Sequence, residues 1–320
     1  MNIYITLDYE LFMSNHTGSV EKCLVEPVKR LVEVADRHDV KFTFFVDAAY
    51  LYRLSQLQYE HEQINADFKE VCNNIQYLNK KGHDIELHFH PQWLYSDYAD
   101  GKWTIDMEHY KLSDMEESYL QQTFADSKKL LDSLLDNPSV SFRAGGYSLS
   151  TYTGFKSLFK CNAIKIDSSV LRNAFCASKY QAYDYRRIPV DHIYRFDDDL
   201  CVTQETGDML EASISTKLLN PLSYILYRMI LKLRYKNNQA IGDGMPTSGG
   251  KHSVFSAKRI NASIDHYEVF KLKSFLRKTG DLVVIGHPKN QSIDSIGYLD
   301  QFISKAKVNH TFKTIRELVR

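Results

Sequence analysis

Short apolar runs alternate with longer segments of helical period along most of the chain. The runs that predict strands are rich in Val, Ile and Phe, and they cover residues 2–8, 40–46, 83–90, 140–143, 163–167, 200–204 and 282–285. Apolar positions at helical spacing predict helices over residues 20–38, 66–81, 113–135, 221–235, 267–278 and 292–307. Ser113 and Glu116 fit a capping box at the start of the third of these helices. Strands that alternate with helices are typical of a mainly parallel sheet.

The same order of elements predicts one α/β barrel-like domain over residues 1–320, with an insertion around residues 205–255. No internal repeat is visible, and the stretch rich in Gly, Pro and Ser at residues 242–250 is the only connection of that kind. A chain of 320 residues is long enough to enclose one large core.

Side chains that can bind metals or transfer protons lie at the carboxyl ends of the predicted strands. In α/β barrels the active site lies at that face, because the loops there gather side chains from many strands. The sequence therefore predicts a site built from Asp8, Glu10, His88, His90, Arg143, Asp167 and His287.

Two pairs with a spacing of two residues point to metal chemistry. His88 and His90 share one face of a strand, so their imidazoles can either chelate a divalent ion such as Zn²⁺ or serve as hydrogen-bonded structural groups. Asp8 and Glu10 also share a face if their strand persists. One carboxylate can then bind the metal while the other takes a proton from water, although a carboxylate at a strand end can also cap a loop.

The remaining candidates have supporting roles in this interpretation. Arg143 can orient a carboxylate, and Tyr147 can donate a hydrogen bond to a sugar or an oxyanion. Asp167 and His287 can form a charged pair that tunes a general acid. Each of these residues has a structural interpretation as well, such as an arginine paired inside the barrel.

Six motifs occur in the order found in the polysaccharide deacetylases, and together they resemble that family. They are TLDYE at residues 6–10, TFFV at 43–46, GHDIELHFH at 82–90, RAGGY at 143–147, KIDSS at 165–169 and IGHP at 285–288. The resemblance runs from residue 2 to about residue 290 and is weak over residues 180–280.

The resemblance implies a distorted seven-stranded (β/α) barrel and a metal-dependent hydrolase that removes an N-acetyl group from an amino sugar or a surface-glycan precursor. It implies one divalent metal, most often Zn²⁺, held by Glu10, His88 and His90. Asp8 is then the base and His287 the acid that protonates the leaving amine. Arg143, Tyr147 and Asp167 support these groups or contact the substrate.

Two departures from the family pattern bear on the site. The second Asp of the opening motif is Tyr9 here, and the acid Glu10 follows one position later. The family's usual metal pair is H-x-x-x-H, whereas this chain has His88-x-His90 and Gln92 at the expected second position. The roles of Asp8 and Glu10 could accordingly be exchanged.

Two alternatives stay open on the same scaffold. One is a small-amide hydrolase of the allantoinase kind, which a deep closed pocket would favour. An open groove lined by Trp93, Trp103 and tyrosines would favour a glycan instead. The other alternative is a catalytically inactive carbohydrate-binding relative, which failure to bind metal would favour.

Charge and cysteine content narrow the classes of function. Forty basic and forty acidic residues give zero net charge and a pI of about 7.2, which argues against a dedicated nucleic-acid binder. Five irregularly spaced cysteines without a CxxC pair predict reduced thiols rather than a disulfide framework. With neither a signal peptide nor an apolar membrane span recognised, the expected location is cytoplasmic.

Residues 217–237 lie outside the family pattern. They mix Leu, Ile and Tyr with Arg and Lys, which predicts either a barrel helix or lid with a solvated basic edge, or a basic amphipathic helix that meets a membrane surface. In the second case the protein would work at the inner membrane surface, and a lipid-linked sugar would be a natural substrate.

Overall fold

The computed structural model describes residues 1–149, 152–188, 193–234, 239–246, 258–276 and 280–319. The strands are β1 (Asn2–Tyr9), β2 (Thr43–Asp47), β3 (Asp84–Phe89), β4 (Asp97–Ala99), β5 (Lys102–Thr104), β6 (Ser141–Ala144), β7 (Ile166–Asp167), β8 (Phe175–Ala177), β9 (Ala182–Asp184), β10 (Ile193–Phe196), β11 (Met209–Ala212), β12 (Thr216–Leu219), β13 (Lys258–Asn261), β14 (Leu282–Gly286) and β15 (Thr311–Lys313). The helices are α1 (Glu26–His38), α2 (Ala48–Leu57), α3 (Glu62–Lys80), α4 (Gln92–Tyr95), α5 (Glu117–Asp132), α6 (Lys156–Cys161), α7 (Pro221–Arg234), α8 (Leu272–Phe275) and α9 (Ile293–Ala306).

The main sheet is curled and mostly parallel. Its strands follow the order β10-β11-β7-β6-β3-β2-β1-β14, and β15 pairs with β1 beside that path. Every pairing from β11 to β14 is parallel, whereas β10 is antiparallel to β11. The predicted mixed α/β architecture is therefore confirmed. The predicted count of seven strands is not, because eight strands lie on the path and a ninth lies beside it.

Irregular backbone joins the two edges of the curl. Residues 213–215 continue from β11, and the Ser215 amide donates to the carbonyl of Val283 on β14 at 3.0 Å. Residues 262–264 also bond to β14, where the Ile264 amide donates to Ile285 at 2.9 Å. These bonds bring the far end of the sheet back toward β1, as a distorted barrel requires.

Both faces of the central strands are covered, which explains their continuous apolar runs. All eight residues of β1 are buried or half-buried, and β2 and β3 are buried throughout. The helices α1, α3, α5 and α9 each bury one apolar stripe, exemplified by Val28, Leu31 and Val32 on α1. Among the described residues, no helix combines the length and apolar character that crossing a membrane requires.

Three sequence-based element predictions were wrong in detail. The predicted strand at residues 200–204 is a turn, and β10 and β11 on either side of it are the strands. Helix α5 begins at Glu117 rather than at Ser113, because the Glu116 carboxylate caps it by accepting from the amides of Ser118 and Tyr119. The helix predicted at residues 267–278 is a 3₁₀ turn followed by α8, and residues 277–279 lie outside the described part.

Candidate functional site

Glu10, His88 and His90 meet at the carboxyl ends of β1 and β3. Glu10 directly follows β1, His88 is the penultimate residue of β3, and His90 directly follows that strand. Because side chains alternate along a strand, the two histidines project from the same face. One ligand atom from each of the three residues lies within 4.8 Å of the others, and all three residues are buried.

This donor set fits a divalent cation. Glu10 Oε2 lies 3.0 Å from His88 Nε2 and 2.6 Å from His90 Nε2. His88 Nδ1 donates to the carbonyl of Arg143 at 2.7 Å, which orients the ring so that Nε2 faces Glu10. Two imidazole nitrogens and one carboxylate are a common ligand set for catalytic zinc, and ligating histidines usually donate their other nitrogen in this way.

Lys289 completes the surroundings of Glu10. Its Nζ donates to Glu10 Oε1 at 2.8 Å and to the Leu11 carbonyl at 2.7 Å. Burial alone would raise the pKa of Glu10, but Lys289 and the two histidines hold it well below its usual range. Burial would lower the pKa of His88, yet the charges of Asp8 and Glu10 raise it above its ordinary value. The Glu10 carboxylate therefore stays ionised inside the protein.

Asp8 lies beside this group but has different partners. Arg143 Nη1 donates to Asp8 Oδ1 at 2.6 Å, and the fully buried guanidinium also donates to Thr6 and Ser168. Asp8 Oδ2 lies 3.6 Å from His287 Nε2. One carboxylate oxygen is thus fixed by Arg143, and the other faces the histidine.

His287 is paired with Asp265, not with the predicted partner Asp167. His287 Nδ1 lies 2.6 Å from Asp265 Oδ2, and the His287 amide donates to Asp265 Oδ1 at 2.7 Å. Burial alone would lower the pKa of His287, but the Asp265 carboxylate raises it to about 9. Asp167 instead accepts from the Ser169 hydroxyl at 2.6 Å, and that hydroxyl accepts from the Ala144 amide. Asp167 therefore supports the backbone beside Arg143.

The paired glycines after β6 make room for two aromatic rings of the site. A Cβ on Gly145 would lie 2.7 Å from His90 Nδ1, and one on Gly146 would lie 2.5 Å from the Tyr110 ring. Gly146 and Tyr147 both have positive φ, 57° and 61°, a conformation that is uncommon for residues other than glycine. The turn brings Tyr147 to the wall of the pocket.

These groups surround a cavity of about 240 Å³. Asp8, Glu10, His88, His90 and His287 all line it, and the lining also includes Met13, Tyr110, Tyr147, Gln181, Pro246 and Asn290. Trp93 and Trp103 are buried elsewhere, and the Trp93 indole donates to Asp47 at 2.8 Å. The tryptophan-lined groove that would favour a glycan is therefore not formed by Trp93 and Trp103 at this cavity.

Three residues of the site did not figure in the sequence-based candidate set, and two of them, Asp47 and Lys289, stand just after predicted strands. Asp47 is the last residue of β2 and accepts from the His90 amide at 3.2 Å. Asp265 follows the segment NASI at residues 261–264, whose mixed polar and apolar composition does not mark a strand. Lys289 stands two positions after His287 and directly follows the IGHP motif.

Comparison with known proteins shows that solved structures share the fold of this chain. No family model matches the chain, and no curated protein matches it. A solved structure from Mycobacterium smegmatis, of a protein assigned to the polysaccharide deacetylases, is 14% identical with a TM-score of 0.54. The structure of PuuE allantoinase is 12% identical with a TM-score of 0.53. Each alignment covers 99% of this chain and 88% of the other. The chain has a deacetylase-type fold, which an allantoinase shares.

Proposed function

We propose that this protein is a metal-dependent hydrolase that removes the N-acetyl group from an amino sugar or a surface-glycan precursor. The observation that carries the proposal is the meeting of a Glu–His–His ligand set with a separate carboxylate and a charged histidine in one cavity. Metal-assisted amide hydrolysis needs a ligand set of this kind, a base and an acid. The two solved structures of similar fold are named as a polysaccharide deacetylase and an allantoinase, which are the two classes of hydrolase that the sequence predicts.

Glu10, His88 and His90 are the residues that would hold the ion, and their chemistry favours Zn²⁺. When bound, a divalent ion would polarise the amide carbonyl and lower the pKa of water toward about 7. Lys289 occupies Glu10 Oε1 and leaves Oε2 directed at the histidines. The other side chains of the site would then transfer protons and orient the groups that do so.

Asp8 is suited to accept the proton of the attacking water. Arg143 holds Oδ1 at 2.6 Å, so the carboxylate is oriented with Oδ2 toward the cavity side, where His287 lies. Because the guanidinium donates to Asp8 and three further oxygen atoms of the barrel interior, the position of this base is determined by the fold.

His287 is suited to donate a proton to the leaving nitrogen. With Nδ1 bound to Asp265, its Nε2 faces Asp8 at 3.6 Å and carries the second proton of the charged ring. A pKa of about 9 keeps the ring protonated at neutral pH, as a general acid requires. Tyr147 and Tyr110 form the wall against which the acetamido group would lie.

The size of the cavity favours a second candidate, hydrolysis of a small amide. Pockets for drug-sized ligands usually enclose about 300–1,000 Å³, and this one encloses about 240 Å³. Such a cavity receives one small group, which can be either the acetamido end of a larger glycan or a complete small amide. An inactive carbohydrate-binding protein is the third candidate.

Hydrolysis assays with controlled metal content test the proposal. Chelated and Zn²⁺-loaded protein would be compared on N-acetylglucosamine, its oligomers and sugar-nucleotide forms, and on allantoin as a small amide. We expect metal-dependent acetate release from the sugars and loss of zinc binding in His88→Ala and His90→Ala. The exposed Asp97→Asn variant serves as the control.

The outcomes separate the candidates. Turnover of allantoin without acetate release would establish the small-amide hydrolase instead. Zinc binding without any hydrolysis, together with sugar binding, would support the inactive relative. Wild-type protein that binds no divalent metal would refute the proposed function.

A further inference from the structure

Helix α7 exposes a stripe of large apolar side chains. Leu222, Ile225, Leu226 and Met229 are 79%, 37%, 59% and 58% exposed. Their spacing of three, four and seven residues places them on one face of the helix. We call these four residues the apolar stripe. Contiguous exposed apolar surface of this kind marks contact sites in soluble proteins more often than isolated apolar residues do.

The opposite face of α7 contacts the body of the protein. Tyr224 and Tyr227 are half-buried, and Lys271 Nζ lies 4.4 Å from the centroid of the Tyr227 ring. The contact between Tyr227 and Lys271 fixes which way the helix is turned, so the apolar stripe faces outward.

The segment around α7 has a strong excess of positive charge. Residues 212–264 contain eight of the chain's forty basic residues and one of its forty acidic residues, Asp243. The rest of the chain therefore carries a compensating negative excess. Five of these basic residues fall within residues 217–236 of the sequence, which include α7, without an acidic residue between them; they are Lys217, Arg228, Lys232, Arg234 and Lys236.

We propose that α7 binds the surface of an anionic membrane and lies in the plane of the interface. An exposed apolar face within a basic segment is the combination that binds anionic lipid headgroups and reaches the acyl boundary. A second copy of the chain fits less well, because a two-fold contact through α7 would place the same basic segments against each other.

A contact and a chain connection link α7 to the cavity of the candidate site. Lys271 belongs to the turn that follows Asp265, the partner of His287. On the other side, the chain after α7 leads to Pro246, which lines the cavity. If the proposed function holds, membrane binding would bring the cavity to a glycan precursor carried at the lipid surface. This last step rests on the proposed function, whereas membrane binding itself does not.

Sedimentation with lipid vesicles tests the membrane contact without any assay of activity. Vesicles with about one third phosphatidylglycerol would be compared with pure phosphatidylcholine, at salt concentrations from about 0.1 to about 0.5 M. The wild type should bind the anionic vesicles, and binding should weaken as salt rises. The triple variant Leu222→Gln, Leu226→Gln, Met229→Gln should bind at least about tenfold more weakly.

Charge and control variants make the test specific. Lys232→Gln combined with Lys236→Gln should lower the affinity by roughly fivefold per residue at low salt. Tyr59→Gln with Val308→Gln removes two highly exposed apolar side chains elsewhere, 91% and 77% exposed, and should bind like the wild type. Melting temperatures within about two degrees of the wild type would show that all variants are folded.

Three results would overturn the proposal. One is a wild type that does not sediment with anionic vesicles, and another is a triple variant that binds as well as the wild type. The third is a concentration-dependent dimer in solution that the triple variant abolishes while vesicle binding is absent, which would show that a second copy covers the stripe. A protein that binds the vesicles but hydrolyses no substrate would count against the proposed function and not against membrane binding.

Discussion

Asp8 and Glu10 are two residues apart, and their different partners suggest different roles. Asp8 pairs with Arg143, whereas Glu10 meets the imidazoles of His88 and His90 and the ammonium of Lys289. His287 Nε2 lies near both carboxylates, 3.6 Å from Asp8 and 3.7 Å from Glu10. We expect Asp8→Asn to retain zinc and to lower kcat by roughly 10²–10⁴-fold, because an amide cannot accept the proton. Glu10→Gln should weaken zinc binding. Metal content and kcat measured on the same preparation check both expectations, and the reverse pattern would exchange the two roles.

The carboxylate next to His287 should set the upper pH limit of activity. An acid must be protonated to act, so activity should decline as pH rises through the pKa of His287, which is about 9. Asp265→Asn removes the carboxylate that raises this pKa, so the alkaline limb of the kcat profile should move to lower pH by roughly one to two units. Asp97→Asn should leave the limb in place. An unmoved limb in Asp265→Asn would remove His287 from the proton transfer.

Sequence reasoning found the residues whose spacing carries information and missed those that contact them through space. The alternation of His88 and His90 and the pair Asp8 and Glu10 are visible in a single short run. Asp265 reaches the site because residues 262–264 bond to β14, and no regular pattern in the sequence marks that contact. Lys289 reaches it from the turn that follows β14. Asp167 was predicted as the partner of His287 because it ends a predicted strand, whereas Asp265 follows no predicted strand.

The turn after β6 packs closely against a candidate metal ligand. Gly145→Ala would place a methyl group 2.7 Å from His90 Nδ1 and 2.8 Å from the Phe89 carbonyl, so the imidazole or the strand end must move. We expect zinc affinity to fall by roughly 10–100-fold, the usual effect of disturbing the support of a ligand. Competition with a chromophoric chelator measures this.

The matched control is Gly297→Ala on α9, where an added Cβ meets no atom within 4 Å. It should leave zinc affinity unchanged and stabilise the protein by about 0.5–1 kcal/mol, since alanine loses less backbone entropy in a helix. If Gly145→Ala bound zinc as tightly as Gly297→Ala, the close approach to His90 would have no role in the metal site.

Regular elements were predictable where hydrophobic period and burial agree. The runs that became β1, β2, β3 and β14 are buried on both faces, so their composition alone identifies them. The turn at residues 200–204 has an apolar composition as well, but β10 and β11 form on either side of it because they pair with each other. That pairing depends on contacts between segments, which periodicity does not record.

The two ends of the barrel carry different kinds of charge network. The carboxyl end of the parallel strands holds the candidate site. The opposite end holds an ion-pair cluster in which Arg316 contacts Asp84 at 2.9 Å and Glu86 at 2.8 Å. This division follows the rule that chemistry gathers at the carboxyl ends and stability at the amino ends. The rule made the location of the site predictable before its contacts were known.

His83 lies at the amino end and gives stability a pH dependence of known sign. It is 5% exposed, and its Nδ1 accepts from the Phe42 amide at 3.1 Å. Burial, with a smaller effect of Lys41, lowers its pKa to about 4, below an unfolded value of about 6.5. The unfolded chain therefore binds a proton first as pH falls. The stabilising effect of neutral His83 is complete above about pH 6.5 and is lost between about pH 6.5 and 4.

His83→Asn tests this dependence, because the asparagine oxygen can accept from Phe42 while the side chain cannot titrate. Other buried acids change stability over the same range, so the informative quantity is the difference in unfolding free energy between variant and wild type at each pH. At pH 7 the variant is expected to be the less stable protein. From pH 7 to 4 the difference should shift in favour of the variant by about 3 kcal/mol, since each pKa unit corresponds to about 1.4 kcal/mol.

Urea unfolding at several pH values measures this difference in unfolding free energy, and His16→Asn, at an exposed histidine, provides the baseline. A difference that stays constant across this range would show that His83 is not held neutral in the folded protein.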